Sequence, residues 1–147
     1  MFRFAALPLY LLTVLTFAAC SPTVEDTRPG QPVKHRQEAF KALLRASEPI
    51  GLMLQNGQFS PERLAALGET LAKAGEAPWN FYGPDTDYPP SKSRPEVWNE
   101  PEKFAAERQR FIAAAATLRS AADAGAAQAA YDEMRARCKS CHNAFRR

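Results

Sequence analysis

Ala127-Gln-Ala-Ala-Tyr131-Asp-Glu-Met134-Arg-Ala-Arg-Cys138-Lys-Ser-Cys141-His142-Asn-Ala-Phe145 decides the fold. Its apolar and sulfur-bearing positions, Ala127, Tyr131, Met134, Cys138, Cys141 and Phe145, recur at intervals of four and three. That rhythm belongs to a helix buried along the seam of a bundle. Working back from Phe145, the chain offers three more helical stretches. One follows Asn99, with Pro101 in its first turn, places Phe104, Phe111, Ala115, Leu118 and Ala122 on one stripe and is expected to close at Gly125. Another opens with Ser60 as N-cap and Pro61 at the first helical position, buries Leu64, Leu67, Leu71 and Ala74, and should stop at Gly75. The first runs from about Val33 to Asn56, with Val33, Phe40, Leu43 and Leu44 on one side and Gly57 as its stop. Pro49 falls inside it and predicts a kink near residues 46–48, after which Ile50, Met53 and Leu54 continue on a shifted face.

Between the second and third helices lies Glu76 to Glu100, where Pro78, Pro84, Pro89, Pro90 and Pro95 forbid a regular element. Trp79, Phe81, Tyr82, Tyr88 and Trp98 give this loop apolar mass, so it is expected to pack down on its own aromatic rings. No segment shows strand periodicity. The expected fold is all-α: an antiparallel, up-down four-helix bundle with one long loop rich in proline and aromatics.

The N-terminus reads differently. One positive charge at Arg3, an uncharged apolar run from Phe4 to Ala19 and small residues before Cys20 are the layout of a secretory signal, too short to span a bilayer. Phe17-Ala18-Ala19-Cys20 resembles a bacterial lipoprotein box, with Phe17 where Leu is usual. Lipid on Cys20 would hold the protein at a membrane surface, and plain secretion is the alternative. The chain thus divides into a signal peptide (1–19), a flexible tether (20–32) carrying three prolines after Cys20, and one domain (33–147). Removing residues 1–19, of which only Arg3 is charged, leaves 128 residues with a net charge of +2. That balance does not suit nucleic acid, and no Gly-rich phosphate loop occurs.

Cys138-Lys139-Ser140-Cys141-His142 is a C-x-x-C-H pentapeptide, the attachment signal of c-type haem. Two thiols three apart on a helix reach the two vinyl groups of one porphyrin as thioethers, and the imidazole after Cys141 comes up under the iron as its axial ligand. Secretion agrees with this, since c-type haem is attached outside the bacterial cytoplasm. Zinc needs four ligands, and His35 is the only other imidazole. A redox dithiol sits at a helix N-terminus, not deep in a last helix.

A haem motif on the last of four helices is similar to the class II c-type cytochromes, the cytochrome c′ family, over residues 33–147. Arg36-Gln37 early in the first helix, the proline inside that helix and Ser93-Arg94-Pro95-Glu96-Val97-Trp98 before the third carry the likeness. The bundle expectation owes part of its strength to this resemblance, since cytochrome c′ is a known antiparallel four-helix bundle. By the likeness Arg36 lies near a haem propionate, with Gln37 beside it. One turn on, at the position where the family presents a ligating Met or an apolar blocker, this chain has Phe40. A phenyl ring has no lone pair, so a pentacoordinate, high-spin iron is expected behind it. His35 is about 140° away from Phe40 around the helix and should point elsewhere. Met53 and Met134 read as core. Arg146, one turn past His142, matches a basic residue common on the proximal side of the family, although a frayed terminal arginine is as simple a reading.

These residues imply a periplasmic, lipid-anchored, non-enzymatic haem c protein that exchanges single electrons with redox partner proteins and binds nitric oxide or carbon monoxide. The alternative is a low-spin electron carrier with an unidentified sixth ligand. Peroxidase chemistry needs a distal base and a charge-stabilising donor that an apolar face lacks. The resemblance also implies a homodimer through the first two helices. Arg135, Arg137, Lys139, Arg146 and Arg147 make the C-terminal end basic, as either a solvated face or a guide for an acidic partner.

Overall fold

The computed structural model describes residues 25–147; the signal peptide and Cys20 lie outside the described residues. Four long helices, α1 (Pro32–Gln55), α2 (Pro61–Glu76), α4 (Pro101–Arg119) and α5 (Ala124–Phe145), form the bundle. A 3-10 turn (Ala77–Phe81) and the one-turn α3 (Glu96–Asn99) interrupt the long loop, where the prolines predict no regular element. The two prolines that begin these short pieces, Pro78 and Pro95, suit helical first turns even though they forbid helix interiors. The helices close a ring: α1 packs on α2, α2 on α4, α4 on α5, and α5 returns to α1.

Caps set most boundaries. Pro32, Pro61 and Pro101 each stand at a helix start, where the missing N–H costs nothing. The Ser60 hydroxyl accepts from the Arg63 N–H at 3.2 Å, and the Asp123 carboxylate accepts from Ala126 N–H at 2.8 Å. α1 ends as expected at Gly57, whose φ of +64° permits the Gly57 N–H to reach Leu54 O and the Gln58 N–H to reach Met53 O. Asp26, in the stretch read as a tether, is 3% exposed and accepts from the Val33 and Lys34 N–H groups at 2.9 and 3.2 Å. The folded part therefore takes in residues 26–32 of that stretch as well.

Three local expectations are corrected. Gly75 does not stop α2; it lies inside the helix because the Phe111 ring comes so close that an added Cβ would sit 3.1 Å from it. Gly125 does not close the third helix: α4 ends at Arg119, where the Ser120 hydroxyl bonds Ala116 O and Thr117 O, and Gly125 belongs to the first turn of α5. Ala122 consequently falls in the exposed turn. Leu44 is 60% exposed, since each residue rotates about 100° and Leu43 takes the inward position beside it. α1 runs unbroken through Pro49.

The core is built from Ile50 and Met53 of α1, Leu64 and Leu71 of α2, Phe111 and Leu118 of α4, and Met134 of α5. Met53 and Met134, at 1% and 2% exposure, are core residues. Phe40, Trp79 and Cys138 lie at its edge, half-buried, and so mark the end of the bundle where the site is built.

Candidate haem site

α5 carries Cys138 and Cys141 on its inward stripe, both half-buried and neither in a disulfide. Burial pushes both thiols up, Cys141 to about 11, with further raising from Glu107 and Cys138. Thiols held protonated at neutral pH are poor redox nucleophiles. Among the described residues, no three His, Cys, Asp or Glu side chains are grouped to hold a metal ion.

Cys141 faces aromatic company. The Tyr82 hydroxyl is raised by burial, with the Cys141 thiol contributing, and lowered by Ser93 and Arg36. From Tyr82 the rings run in contact: 4.8 Å to Phe104 and 6.1 Å to Trp98 between centroids, with Phe104 a further 5.2 Å from Phe145. Trp79 stacks on Tyr82 at 6.4 Å, its indole N–H donating to Gly75 O. Phe40 of α1 closes this wall, edge-on to Trp79 at 5.7 Å and to Tyr82 at 6.5 Å. A cleft of about 410 Å³ opens among Trp79, Tyr82, Val97, Trp98, Phe104 and Arg108, within the range of cofactor pockets. The loop does pack on its own aromatics, and in doing so it lines this cleft.

Arg36 is only 3% exposed. Its guanidinium donates to Phe81 O at 2.9 Å, Ser91 Oγ at 3.0 Å, Thr86 O at 3.2 Å and Thr86 Oγ1 at 3.4 Å, and lies 4.4 Å from the Tyr82 ring centre. All four acceptors are uncharged. Burial lowers its pKa, and Tyr82, Tyr88, Asp87 and Asp26 partly offset that, but a guanidinium stays charged throughout. Gln37 donates to Pro90 O at 3.3 Å, so both predicted residues grip the loop. His35 points away as expected, half-exposed beside Glu38 and stacked on Phe81.

His142 lies on the outward side of α5, exposed. Burial of part of its ring and the nearby Arg146 charge lower its pKa, which favours the neutral imidazole that ligates iron. Arg146 is not frayed. Its backbone pairs with Ser93 in an antiparallel bridge, while the Arg94 N–H donates to Phe145 O at 2.9 Å and the Arg147 N–H to Lys92 O at 2.8 Å.

Sequence reasoning counts Trp79, Tyr82 and Trp98 only as packing mass and gives no sign of Thr86, Ser91 and Arg108. The Nε atom of Arg108 is buried at the cleft without a partner. A cleft lined by aromatics, two half-buried thiols on α5 with an exposed imidazole beside them, and a buried cation lacking a carboxylate partner are groups that suit a covalently held porphyrin with acidic side arms.

Comparison with known proteins agrees. The family model described as Cytochrome C′ matches residues 31–146. A cytochrome c′ from Alcaligenes xylosoxydans xylosoxydans is 34% identical over 127 residues, covering 82% of this chain and 96% of the relative. Among solved structures, the nitric oxide complex of a cytochrome c prime variant from Alcaligenes xylosoxidans aligns with a TM-score of 0.75 at 28% identity, covering 84% of this chain and 99% of that one. A carbon monoxide-bound cytochrome c prime variant from the same organism aligns with a TM-score of 0.74 at 29% identity, covering 84% and 99%. With nearly all of the bundle matched, from the turn before α1 to the residue after α5, this chain belongs to the cytochrome c′ family.

Proposed function

We propose that this protein is a single-electron haem c protein whose iron is five-coordinate and high-spin, open to nitric oxide and carbon monoxide behind Phe40. Members of the family carry one covalently bound haem c. When bound, the group supplies an iron that accepts and donates one electron and takes a diatomic gas. Cys138 and Cys141 would hold it by thioether bonds and His142 would be the axial ligand. Arg36, with Gln37 beside it, would face the propionates, where a buried guanidinium gains a charged partner that the loop oxygens do not provide. Arg146 would lie on the His142 side.

The observation that carries this reading is the apolar wall. Phe40 offers no lone pair, and the Tyr82 hydroxyl is held neutral by burial, while Met53 and Met134 are committed to the core. A ligand entering behind Phe40 must push its ring off Trp79 and Tyr82, and the phenyl face itself offers no hydrogen bond to a polar guest. Oxygen should therefore bind weakly, carbon monoxide slowly and nitric oxide best.

Three further elements complete the proposal. The signal segment and Cys20, both outside the described residues, support a periplasmic location on a lipid anchor. Leu44 and Leu52, 60% and 57% exposed on the outer side of α1, support pairing of two subunits. Redox proteins are its electron partners.

The optical spectrum of the haem-loaded protein, ferric and ferrous, before and after nitric oxide, tests the reading. A high-spin spectrum that shifts with nitric oxide is expected. A low-spin spectrum unmoved by nitric oxide would overturn it in favour of a six-coordinate electron carrier.

A further inference from the structure

The basic end of α5 is not uniform once its ion pairs are taken out. Arg137 is held by Glu133 at 2.6 Å, and Arg147 lies 3.4 Å from Asp87. Arg135, Lys139 and Arg146 are exposed and, among the described residues, have no carboxylate within ion-pair distance. On a helix Arg135 and Lys139 fall about 20° and about 60° from His142, so both share its outward face. Arg146 follows one turn on, just past the helix end. The C-terminal bridge brings in Arg94, exposed, whose guanidinium donates to Asn143 O at 3.1 Å. Four cations thus flank an exposed imidazole. Of the acids on α5, Asp132 accepts from Gln128 and Glu133 is paired with Arg137, while Glu48 of α1 acts on Tyr131.

From this arrangement, and resting on the functional reading above, we infer that the outward face of α5 around His142 is the docking surface for an acidic one-electron carrier protein. Charge complementarity selects the partner. Unpaired cations around an exposed axial residue raise the local concentration of anionic partners and orient them toward that edge. The aromatic cleft, by contrast, is lined by loop and α4 residues, none of them on α5.

The test uses the haem-loaded protein and a charge-reversed double variant, Arg135→Glu with Lys139→Glu. Fully reduced flavodoxin, a small acidic protein, serves as donor: one electron passes from its flavin hydroquinone to the ferric iron and no atom is transferred. Hexaammineruthenium(II), a cationic donor of one electron, is the control. At about 10 mM salt the double variant should accept electrons from flavodoxin about tenfold more slowly than the parent, with the difference vanishing near 0.5 M, while the ruthenium rate rises. Covalent haem and an unchanged spectrum are checked first. A chain without covalent haem overturns both readings, whereas loaded proteins with equal, salt-independent flavodoxin rates overturn this one alone. The docking inference also fails if the substitutions leave the flavodoxin rate unchanged and weaken only binding to phosphatidylglycerol vesicles, since the face would then be turned to a membrane.

Discussion

Truncating Phe40 to Ala separates a gate from a piece of core. The ring touches Trp79 and Tyr82 edge-on at 5.7 and 6.5 Å. Each such pair contributes about 0.5–1.5 kcal/mol beyond burial, so swinging the ring clear of both costs about 1–3 kcal/mol. If a gas must displace the ring to bind, that cost stands in the barrier. Removing it should then speed carbon monoxide binding by about 5- to 150-fold. Stability falls too: truncating a fully buried Phe costs about 3–5 kcal/mol, and the half-buried Phe40 about 2–3 kcal/mol. Stopped-flow mixing of carbon monoxide with the ferrous, haem-loaded variant reads the first effect, and guanidinium unfolding reads the second. Phe40→Leu keeps an apolar blocker with less aromatic contact and should lie between. A variant that loses the expected stability yet binds carbon monoxide at the parent rate would refute the gate and leave Phe40 as packing alone.

Single substitutions Cys138→Ser and Cys141→Ser should each leave haem held by one thioether, and the double variant should release all of it to acidified acetone. Haem retained by the double variant under that extraction would rule out attachment here. For Asp26, burial alone would raise the carboxyl, but hydrogen bonds from Lys34, Tyr88, Arg28 and Val33 outweigh it and hold the pKa below the usual 3.8. Its stabilisation is complete above about 3.8 and is lost as pH falls through the lowered value. Asp26→Asn should therefore lower Tm at pH 7, and the gap to the parent should close below that range. Leu118→Ala, at a site with no exposure, should cost about 2–5 kcal/mol in guanidinium unfolding. Leu44→Glu with Leu52→Glu should change stability little and, by sedimentation velocity, convert a dimer to monomers.

How much of the molecule is legible in its sequence depends on the range of the interaction responsible. Helix α5 is legible from Ala127 on, because its four-three rhythm and the C-x-x-C-H spacing lie within one helix, although its start at the Asp123 cap goes unread. The Ser60 cap and the Gly57 stop are equally local. Gly75 misleads for the opposite reason: its cause is Phe111, which belongs to another helix. Arg36 stands out as a haem-side residue through resemblance. Its burial on an otherwise apolar stripe has no local sign, since its acceptors lie 45 to 55 residues away at Phe81, Thr86 and Ser91. The aromatic wall shows the limit most plainly. Residues 76–100 have no period to read, so the sequence shows that Trp79, Tyr82 and Trp98 are sticky without showing that they meet Phe104 and Phe40 around one cleft.

The geometry of a single helix sets where the proposed attachment and docking residues stand relative to one another. With about 100° per residue, His142 falls about 40° from Cys138 and about 100° from Cys141, so the imidazole flanks the thiol stripe rather than standing opposite it. Arg135, Lys139 and Arg146 stand exposed on the same flank as His142. The last residues hold this face in register, for Arg94, Lys92 and Ser93 pair with the backbone at Phe145, Arg147 and Arg146. The inward side is under different control. Its wall comes from the loop, which is tied to α1 through Arg36 and Gln37 and to the segment before α1 through Asp26 and Tyr88. On the proposed function, substitutions at Trp79 or Tyr82 would reshape the aromatic cleft, and substitutions at Arg135 and Lys139 would weaken carrier docking.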